Sequence, residues 1–181
     1  MSKQLDGTGM KRLHRDWRRR SEGRLALVLD GVQGPYNVGA IVRTAAAYRV
    51  EHLWLAGATP ELRVPSVQKT ALGTDRYLTS TSVEKAIDGI AAAKAQGYRV
   101  VAIELADAAT PLYELPTAEA TCLVLGHEDH GVSQAALAAA DAVAYLPQLG
   151  RVGSLNVATA AAMAMYEVRR QGWADAPPTG S

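Results

Sequence analysis

The chain of 181 residues contains no apolar run near the roughly 20 residues that a membrane-spanning helix needs. Its basic N-terminus lacks the apolar core of a signal peptide, so no export is predicted. One cysteine, Cys122, excludes an internal disulfide framework and predicts a reducing, cytoplasmic location. The length and a composition of 48% hydrophobic and 20% charged residues are typical of one globular domain.

Several nucleotide and catalytic motifs are also missing. Gly34 and Gly39 have the spacing of a phosphate loop, but Ala40 and Ile41 stand where that motif needs Lys and then Ser or Thr. No GxGxxG follows a predicted strand, and no GxSxG surrounds Ser133. These absences argue against a nucleoside-triphosphate site, an ordinary dinucleotide site and a serine nucleophile.

A metal site is poorly supported for a similar reason. His127, Glu128, Asp129 and His130 bring metal-ligating groups together, but they do not form HExxH and no outlying third ligand is evident. We therefore predict no metal here and interpret the stretch as a polar loop. Cys122 lies inside an apolar strand, which indicates core packing.

The chain does contain strands that alternate with helices, which predicts an α/β domain with a largely parallel sheet of six strands. We predict strands at 25–32, 52–57, 76–81, 99–105, 121–126 and 142–147. Helices are predicted at 37–48, 82–97, 133–141 and 154–171, with N-caps at Asn37, Ser82 and Ser133. At the start of the last helix, Ser154 is a candidate for a cap or for a site role. The stretch 60–73 is ambiguous, a loop follows residue 105, and residues 172–181 are predicted to be a disordered tail.

The charge is unevenly distributed. Residues 1–24 hold eight of the 19 Lys and Arg but three of the 18 Asp and Glu, a net of +5, whereas the other 157 residues hold 11 and 15, a net of −4. This asymmetry favours a basic arm, residues 1–23, that binds a polyanion. A solvated helix or an irregular terminus is the alternative interpretation.

Three loops are predicted at the carboxyl ends of the strands, where α/β sheets bind ligands. They cover residues 30–40, 125–133 and 146–156. If they converge, they place a carboxylate (Glu128), a hydroxyl (Ser154), an amide (Asn156) and a guanidinium (Arg43) together. Arg43 has no acid to pair with between Gly31 and Val50.

Three motifs in these regions resemble the SpoU/TrmH family of RNA ribose 2′-O-methyltransferases, within the knotted SPOUT class. They read NVGAIVRTA (37–45), LVLGHEDHGVS (123–133) and LPQLGRVGSLNVATAAA (146–162). The resemblance covers about residues 24–171. It implies a deep trefoil knot within about 121–165, which is a rare exception to unknotted topology. It also implies S-adenosylmethionine bound in that knot, with S-adenosylhomocysteine as the product.

The resemblance also implies roles for individual residues. Arg43 matches the catalytic arginine, and four further positions match polar residues of the active site: Asn37, Glu128, Ser154 and Asn156. The predicted cofactor contacts are Ile103, Leu125, Gly126, Gly131, Leu146, Ser154, Leu155 and Ala158. Ala158, Gln148 and Thr70 depart from residues common in the family, which puts local contacts in doubt. Because its forked donors suit phosphate, we expect Arg43 to clamp an RNA phosphate, and either that phosphate or a transiently deprotonated guanidinium would take the proton of the hydroxyl.

The predicted partners are RNA and a second copy of the chain. The final helix is nearly free of charge until Glu167, so a second subunit is expected to cover it, and the family is dimeric through these C-terminal helices. The motifs are most similar to the branch that methylates a guanosine of the tRNA D-loop. RNA contacts are predicted for Arg12, Arg15, Arg18, Arg19, Arg20 and Arg43.

Other substrates and functions stay open from the sequence. Ribosomal RNA or the tRNA wobble nucleotide are alternative substrates within the family. A knotted RNA-binding protein without methyl transfer is an alternative that Arg43, Glu128 and Asn156 argue against. A small-molecule α/β enzyme is a third possibility, which the failed phosphate motifs and the basic arm disfavour.

Overall fold

A computed structural model describes residues 3–21, 23–116 and 119–174. The helices are α1 (Gly7–Arg19), α2 (Pro35–Ala47), α3 (Pro65–Ala71), α4 (Ala86–Ala95), α5 (Gln134–Ala139) and α6 (Val157–Ala174). The strands are β1 (Arg24–Asp30), β2 (His52–Ala56), β3 (Thr79–Val83), β4 (Arg99–Ile103), β5 (Thr110–Pro111), β6 (Ala120–Gly126) and β7 (Ala142–Tyr145). Two short 3₁₀ turns lie at Thr74–Tyr77 and Leu112–Glu114.

The strands form one parallel sheet in the order β3-β2-β1-β6-β4-β7-β5. The α/β class and the parallel sheet are confirmed, but the prediction of six strands is wrong. The seventh strand, β5, has two residues and pairs with β7 inside the stretch that we predicted as a loop. So short a strand has no hydrophobic periodicity that a sequence could reveal.

Helices cover the sheet on both faces, as buried parallel strands require. Successive residues of β1 point to opposite sides, so Leu27 packs in one core and Val28 in the other. The first core includes residues of α2, α3 and α6, and the second includes residues of α4 and α5. A Cβ added at Gly39 would lie 2.6 Å from the carbonyl oxygen of Val67, so glycine allows α3 to approach α2 closely.

Three predicted helix starts are wrong, and in each case the structure shows why. Asn37 is the third residue of α2, which begins at Pro35 after Gly34. Ser82 lies in β3, because that strand extends to Val83 and delays α4 to Ala86. Ser154 precedes α6 by three residues, and the side chain of Asn156 takes the capping role instead. The cap predicted at Ser133 is confirmed, since its Oγ accepts the backbone N–H of Ala136.

Part of the predicted basic arm forms a helix, α1. Asp6 caps it by accepting the N–H of Gly9 at 2.7 Å, and none of its residues is buried. Trp17 near its end packs against Trp173 of α6, with 5.1 Å between the ring centroids, and the indole of Trp173 donates to Ser21. The N-terminal helix is therefore attached to the end of α6.

Helix α6 runs to Ala174, past residue 171 where we predicted the tail to begin. The rest of the predicted tail, residues 175–181, lies outside the described residues. Among the helices that the structure describes, none is both long and apolar enough to cross a membrane.

Candidate functional site

A cavity of about 500 Å³ opens at the carboxyl ends of three neighbouring strands, β6, β4 and β7. This is where parallel α/β sheets bind ligands, and the volume is within the range of small-molecule sites. The loops that follow β6 and β7 complete the wall. Its lining residues are Ile103, Glu104, Leu105, Leu125, Gly126, His127, Glu128, Asp129, His130, Gly131, Tyr145, Leu146, Gln148, Gly153, Ser154, Leu155, Val157 and Ala160.

The structure brings most of the predicted cofactor residues to this cavity. Seven of them line it: Ile103, Leu125, Gly126, Gly131, Leu146, Ser154 and Leu155. Ala158 does not line it and packs against the hydrophobic core in the first turn of α6. Leucine and isoleucine side chains make one part of the wall apolar, whereas His127, Glu128 and Asp129 make another part polar.

Glu128 connects the loop after β6 to the start of α2. Its carboxylate accepts three hydrogen bonds, from the backbone N–H groups of Gln33 (3.2 Å) and Gly34 (3.0 Å) and from Nδ2 of Asn37 (2.9 Å). Burial raises the pKa of Glu128, but the bonds from Asn37 and the backbone outweigh it and hold the pKa below its ordinary value. The negative charge lies at the N-terminus of α2, where the helix dipole favours it.

Asn37 is also hydrogen-bonded to Asn156, which belongs to the last of the three motifs. Its Oδ1 accepts a hydrogen bond of 3.0 Å from Nδ2 of Asn156, and Oδ1 of Asn156 accepts the N–H groups of Ala158 (3.0 Å) and Thr159 (3.2 Å). A continuous hydrogen-bonded chain of side chains therefore runs from Glu128 through Asn37 and Asn156 to the start of α6. It links the three motifs that we singled out in the sequence.

Arg43 is exposed, and within the described part of the chain it has no hydrogen bond or ion pair. It follows Asn37 by six residues, which in an α-helix is about 9 Å along the axis and about 120° around it. Arg43 does not line the cavity, and neither do Asn37 and Asn156, which reach Glu128 through hydrogen bonds. Of the polar groups expected to converge, Glu128 and Asn156 are linked through Asn37, whereas Arg43 lies on another flank of α2.

Exposed arginines occupy α1, as predicted for a surface that binds a polyanion. Arg12, Arg15, Arg18 and Arg19 are exposed, and Arg20 lies over the ring of Trp17 at 5.2 Å. Since Trp17 also packs on Trp173, part of its ring is already engaged within the protein, although 40% of the residue is exposed.

The loop after β6 is folded tightly. His127 and Gly131 exchange two backbone hydrogen bonds, and the rings of His127 and His130 stack with centroids 4.8 Å apart. Among the described residues, no group of three or more His, Cys, Asp or Glu is placed to hold a metal ion. Cys122 is buried in β6, and burial raises the pKa of its thiol, which agrees with a packing role.

Two polar residues of the cavity wall were missed by the sequence analysis as site residues. Glu104 directly follows β4, and Gln148 follows β7 in the loop to α6. Oε1 of Gln148 is shielded from solvent and has no hydrogen-bond partner in the described structure. The position of Glu104 at the end of a predicted strand is the signal that could have identified it.

Residues 24–166 match the SpoU rRNA Methylase family, which is most of the chain. The tRNA (guanosine(18)-2′-O)-methyltransferase of Escherichia coli strain K12 is 34% identical over 150 residues, covering 81% of this chain and 63% of that protein. The enzyme of the same description from Thermus thermophilus is 33% identical over 153 residues, covering 84% of this chain and 78% of that protein. The chain thus spans less than two thirds of the length of the Escherichia coli relative.

Solved structures agree with this similarity. The crystal structure of an AdoMet-bound rRNA methyltransferase from Sinorhizobium meliloti superimposes with a TM-score of 0.77 at 29% identity. The match covers 83% of this chain and 57% of that one.

Proposed function

Because the chain belongs to the SpoU rRNA methylase family, we propose that it is an RNA methyltransferase that uses S-adenosylmethionine to methylate a ribose 2′-hydroxyl. One observation carries this proposal. The hydrogen-bonded chain Glu128–Asn37–Asn156 joins the three motifs beside a cavity at the strand ends. A protein that only bound RNA would have no need for a ligand cavity of this size next to that chain.

The residues of the cavity suit S-adenosylmethionine. Its volume of about 500 Å³ fits a nucleoside with an amino-acid tail, and its wall combines apolar side chains with carboxylates. Leu146 and Leu155 offer apolar contacts to a base, and the absence of a side chain at Gly126 lets the backbone of Gly131 and Val132 pack directly against it. As part of the same proposal, the loops 125–133 and 146–156 belong to the trefoil knot that the family resemblance implies.

Methyl transfer to a ribose needs a positioned hydroxyl more than a strong leaving group. When bound, S-adenosylmethionine supplies a methyl group on a sulfonium, whose sulfur departs readily as a neutral thioether. The protein must therefore orient the weakly nucleophilic hydroxyl and handle its proton. Glu128 is a poor base for that step, because three donors occupy its carboxylate and its pKa is lowered. Its role in this proposal is to position α2 and the loop after β6.

Arg43 is the residue proposed to contact the RNA. It is exposed and unpaired among the described residues, so its guanidinium is available for the forked contact with a phosphate. Held beside the target ribose, that phosphate, or a transiently deprotonated Arg43, takes the proton of the 2′-hydroxyl. We expect Arg43→Lys to lose most activity, because lysine keeps the charge but not the fork. Near-normal turnover by this variant would refute the role.

A homodimer completes the proposed site. In one chain Arg43 lies on a different flank of α2 from Asn37 and outside the cavity lining. Met163 and Tyr166 of α6 are 44% and 47% exposed, which favours a contact between the C-terminal helices of two copies. We expect Arg43 of one protomer to face the cavity of the other.

Complementation of inactive variants tests this arrangement. Arg43→Ala and Asn156→Ala each disable a different part of the composite site, so mixed dimers formed by co-expression should recover part of the activity. Dimers of either variant alone serve as controls and should keep the low activity of that variant. No recovery in mixed dimers would place Arg43 and Asn156 in the same site of one chain.

The proposed substrate is tRNA, with a D-loop guanosine as the target and the cytoplasm as the location. Two relatives about one third identical carry that specificity in their descriptions, and the basic helix α1 supplies an RNA-binding surface. Ribosomal RNA is the second candidate, since the Sinorhizobium meliloti structure is described as an rRNA methyltransferase.

Incubation with labelled methyl donor and total RNA, followed by mapping of the modified ribose, distinguishes these substrates. Label in the tRNA D-loop supports the proposed substrate. Label in ribosomal RNA or at the wobble position would show that the labelled RNA is the substrate instead. RNA binding without any label would leave a non-catalytic RNA-binding protein.

A further inference from the structure

Glu104 is one of the residues that line the cavity. It directly follows β4, the middle one of the three strands whose ends form the site, and its N–H donates to the carbonyl of Ala144 at 2.9 Å. This bond continues the pairing of β4 with β7, so the position of the Glu104 backbone is set by the sheet. Its side chain belongs to the cavity wall.

The carboxylate of Glu104 is held in one orientation. Oε1 accepts the N–H of Leu105 at 3.0 Å, and Oε2 accepts the N–H of Val132 at 2.8 Å. The neighbouring Gly131 has φ of +67°, and a Cβ there would overlap the carboxylate. A side chain at residue 131 is therefore excluded both by the left-handed backbone and by Glu104.

This carboxylate retains hydrogen-bonding capacity for a ligand. A carboxylate has about four acceptor sites, and backbone N–H groups use two of them. Among the described residues, no Lys, Arg or His side chain forms an ion pair with Glu104. The other strongly engaged acid of the wall, Glu128, directs its bonds to α2 instead.

A vicinal diol is a ligand group that suits the two oxygens of this carboxylate. Two carboxylate oxygens can accept one hydroxyl each in short, charge-assisted bonds. In α/β nucleotide sites, an acid near a strand end takes the ribose hydroxyls of the nucleoside in this way. The proposed cofactor contains such a ribose, and Glu104 likewise directly follows the end of a strand.

We infer that Glu104 binds the ribose 2′- and 3′-hydroxyls of the nucleoside part of S-adenosylmethionine. The inference rests on the proposed function, because it assumes this cofactor. It assigns Glu104 a second role beyond fixing the loop after β6 through Val132. Replacement of Glu104 therefore affects both the loop and the ligand, and the test must separate the two effects.

Calorimetric binding of S-adenosylhomocysteine provides that test, with an analogue that lacks both ribose hydroxyls as the second ligand. The wild-type protein should bind the analogue about 10- to 100-fold more weakly, the effect of losing bonds to a charged group. In Glu104→Gln and Glu104→Ala the two ligands should bind with similar affinity. Loop disturbance weakens both ligands alike and cancels in this ratio. Asp107→Asn, an exposed acid in the loop that follows, is the matched control and should keep the wild-type ratio.

Each contrary result has a distinct meaning. Equal affinity of the wild-type protein for the two ligands overturns the inference without any variant, so a misfolded variant does not obscure the answer. A wild-type ratio that persists in Glu104→Gln also overturns it. Sensitivity of Glu104 variants to loss of the ligand's amino group, rather than its hydroxyls, assigns Glu104 to the ammonium instead. Absence of S-adenosylhomocysteine binding, with or without RNA, rejects the proposed function itself.

Discussion

Substitution of Asn156 separates helix capping from the connection between motifs. Its Oδ1 caps α6 by accepting two N–H groups, and its Nδ2 donates to Asn37. Asn156→Asp keeps the oxygen acceptor and adds a negative charge that helix N-termini favour, but removes the donor. Asn156→Ala removes both functions. The pair of variants therefore distinguishes the two roles.

The hydrogen bonds from Asn156 through Asn37 to Glu128 all run in one direction, so the loss of the Asn156 donor cannot be compensated. At one end the Glu128 carboxylate accepts only, and at the other end the backbone N–H groups of α6 donate only. Both amides between them must therefore point their NH₂ groups toward Glu128. In Asn156→Asp an oxygen faces Oδ1 of Asn37, and rotating the Asn37 amide would place its oxygen against Glu128 instead. No orientation of the Asn37 amide gives every acceptor in this series a donor.

The expected magnitudes follow from these contacts. Asn156→Ala should lower the free energy of unfolding by about 2 kcal/mol, about 1 from the cap and about 1 from the lost side-chain bond. Asn156→Asp should lose about 1 kcal/mol or more, since the cap remains while one acceptor is opposed. Both should reduce the methyl-transfer rate at least about tenfold, the effect of roughly 1.4 kcal/mol on the barrier.

Urea unfolding at a fixed protein concentration and single-turnover methylation of RNA measure the two effects. An Asn156→Asp protein that is as stable and as active as wild type would refute the coupling between the motifs. An Asn156→Ala protein that is destabilised but fully active would reduce Asn156 to a helix cap.

Three further predictions concern the wall of the cavity and the basic helix. Since the folded protein lowers the pKa of Glu128 below its ordinary 4.5, its contribution to stability is present above that pH and is lost as the pH falls through the folded value. The unfolding free energy of Glu128→Gln should depend less on pH in this acidic range than that of wild type. Gln148→Met should raise the unfolding free energy of the ligand-free protein by about 1 kcal/mol, because it removes an unpaired buried oxygen; a lower value would contradict this. The exposed arginines of α1 are Arg12, Arg15, Arg18 and Arg19. Replacing them by glutamine should weaken RNA binding and reduce its salt dependence by about one unit of slope per lost phosphate contact. Unchanged affinity would show that the helix does not contribute to RNA binding.

Sequence patterns predicted the long strands and helices of the α/β domain because each has a clear hydrophobic period or an apolar run, whereas α1 was predicted only as a basic arm. They failed where a tertiary contact decides the local structure. The cap of α6 falls on Asn156 and not on Ser154, and two nearby polar residues give the sequence no way to choose between them. The packing of Trp17 on Trp173 joins residues from opposite ends of the chain, and neither stretch contains a signal for the other.

The candidate site was predicted in composition but not in arrangement. The motifs identified Glu128, Asn37 and Asn156, yet their direct hydrogen bonds depend on loop geometry that spacing does not define. The separation of Arg43 from Asn37, by contrast, was available from the sequence. Six residues of helix turn a side chain about 120° away, so a shared helix did not imply a shared direction.

Helix α2 is held at both ends, and this explains how an unpaired Arg43 keeps a defined place. Asn37 in its first turn binds Asn156 at the start of α6. At the other end, Arg169 of α6 donates to the carbonyls of Gly23, Tyr48 and Arg49. Arg169 is 7% exposed, and burial together with the nearby Arg49 lowers its pKa.

The charge of Arg169 is accommodated because two of those carbonyls lie just beyond the C-terminus of α2, where the helix dipole is negative. The contact between Asn37 and Asn156 and the contacts of Arg169 lie more than ten residues apart along both helices, and together they fix the axis of α2 relative to α6. The backbone of Arg43 is then positioned before RNA binds, and the entropy lost on binding is mainly that of its side chain. A helix fixed in this way has no need of an internal acid to hold Arg43, which leaves the guanidinium free for the phosphate contact that we propose.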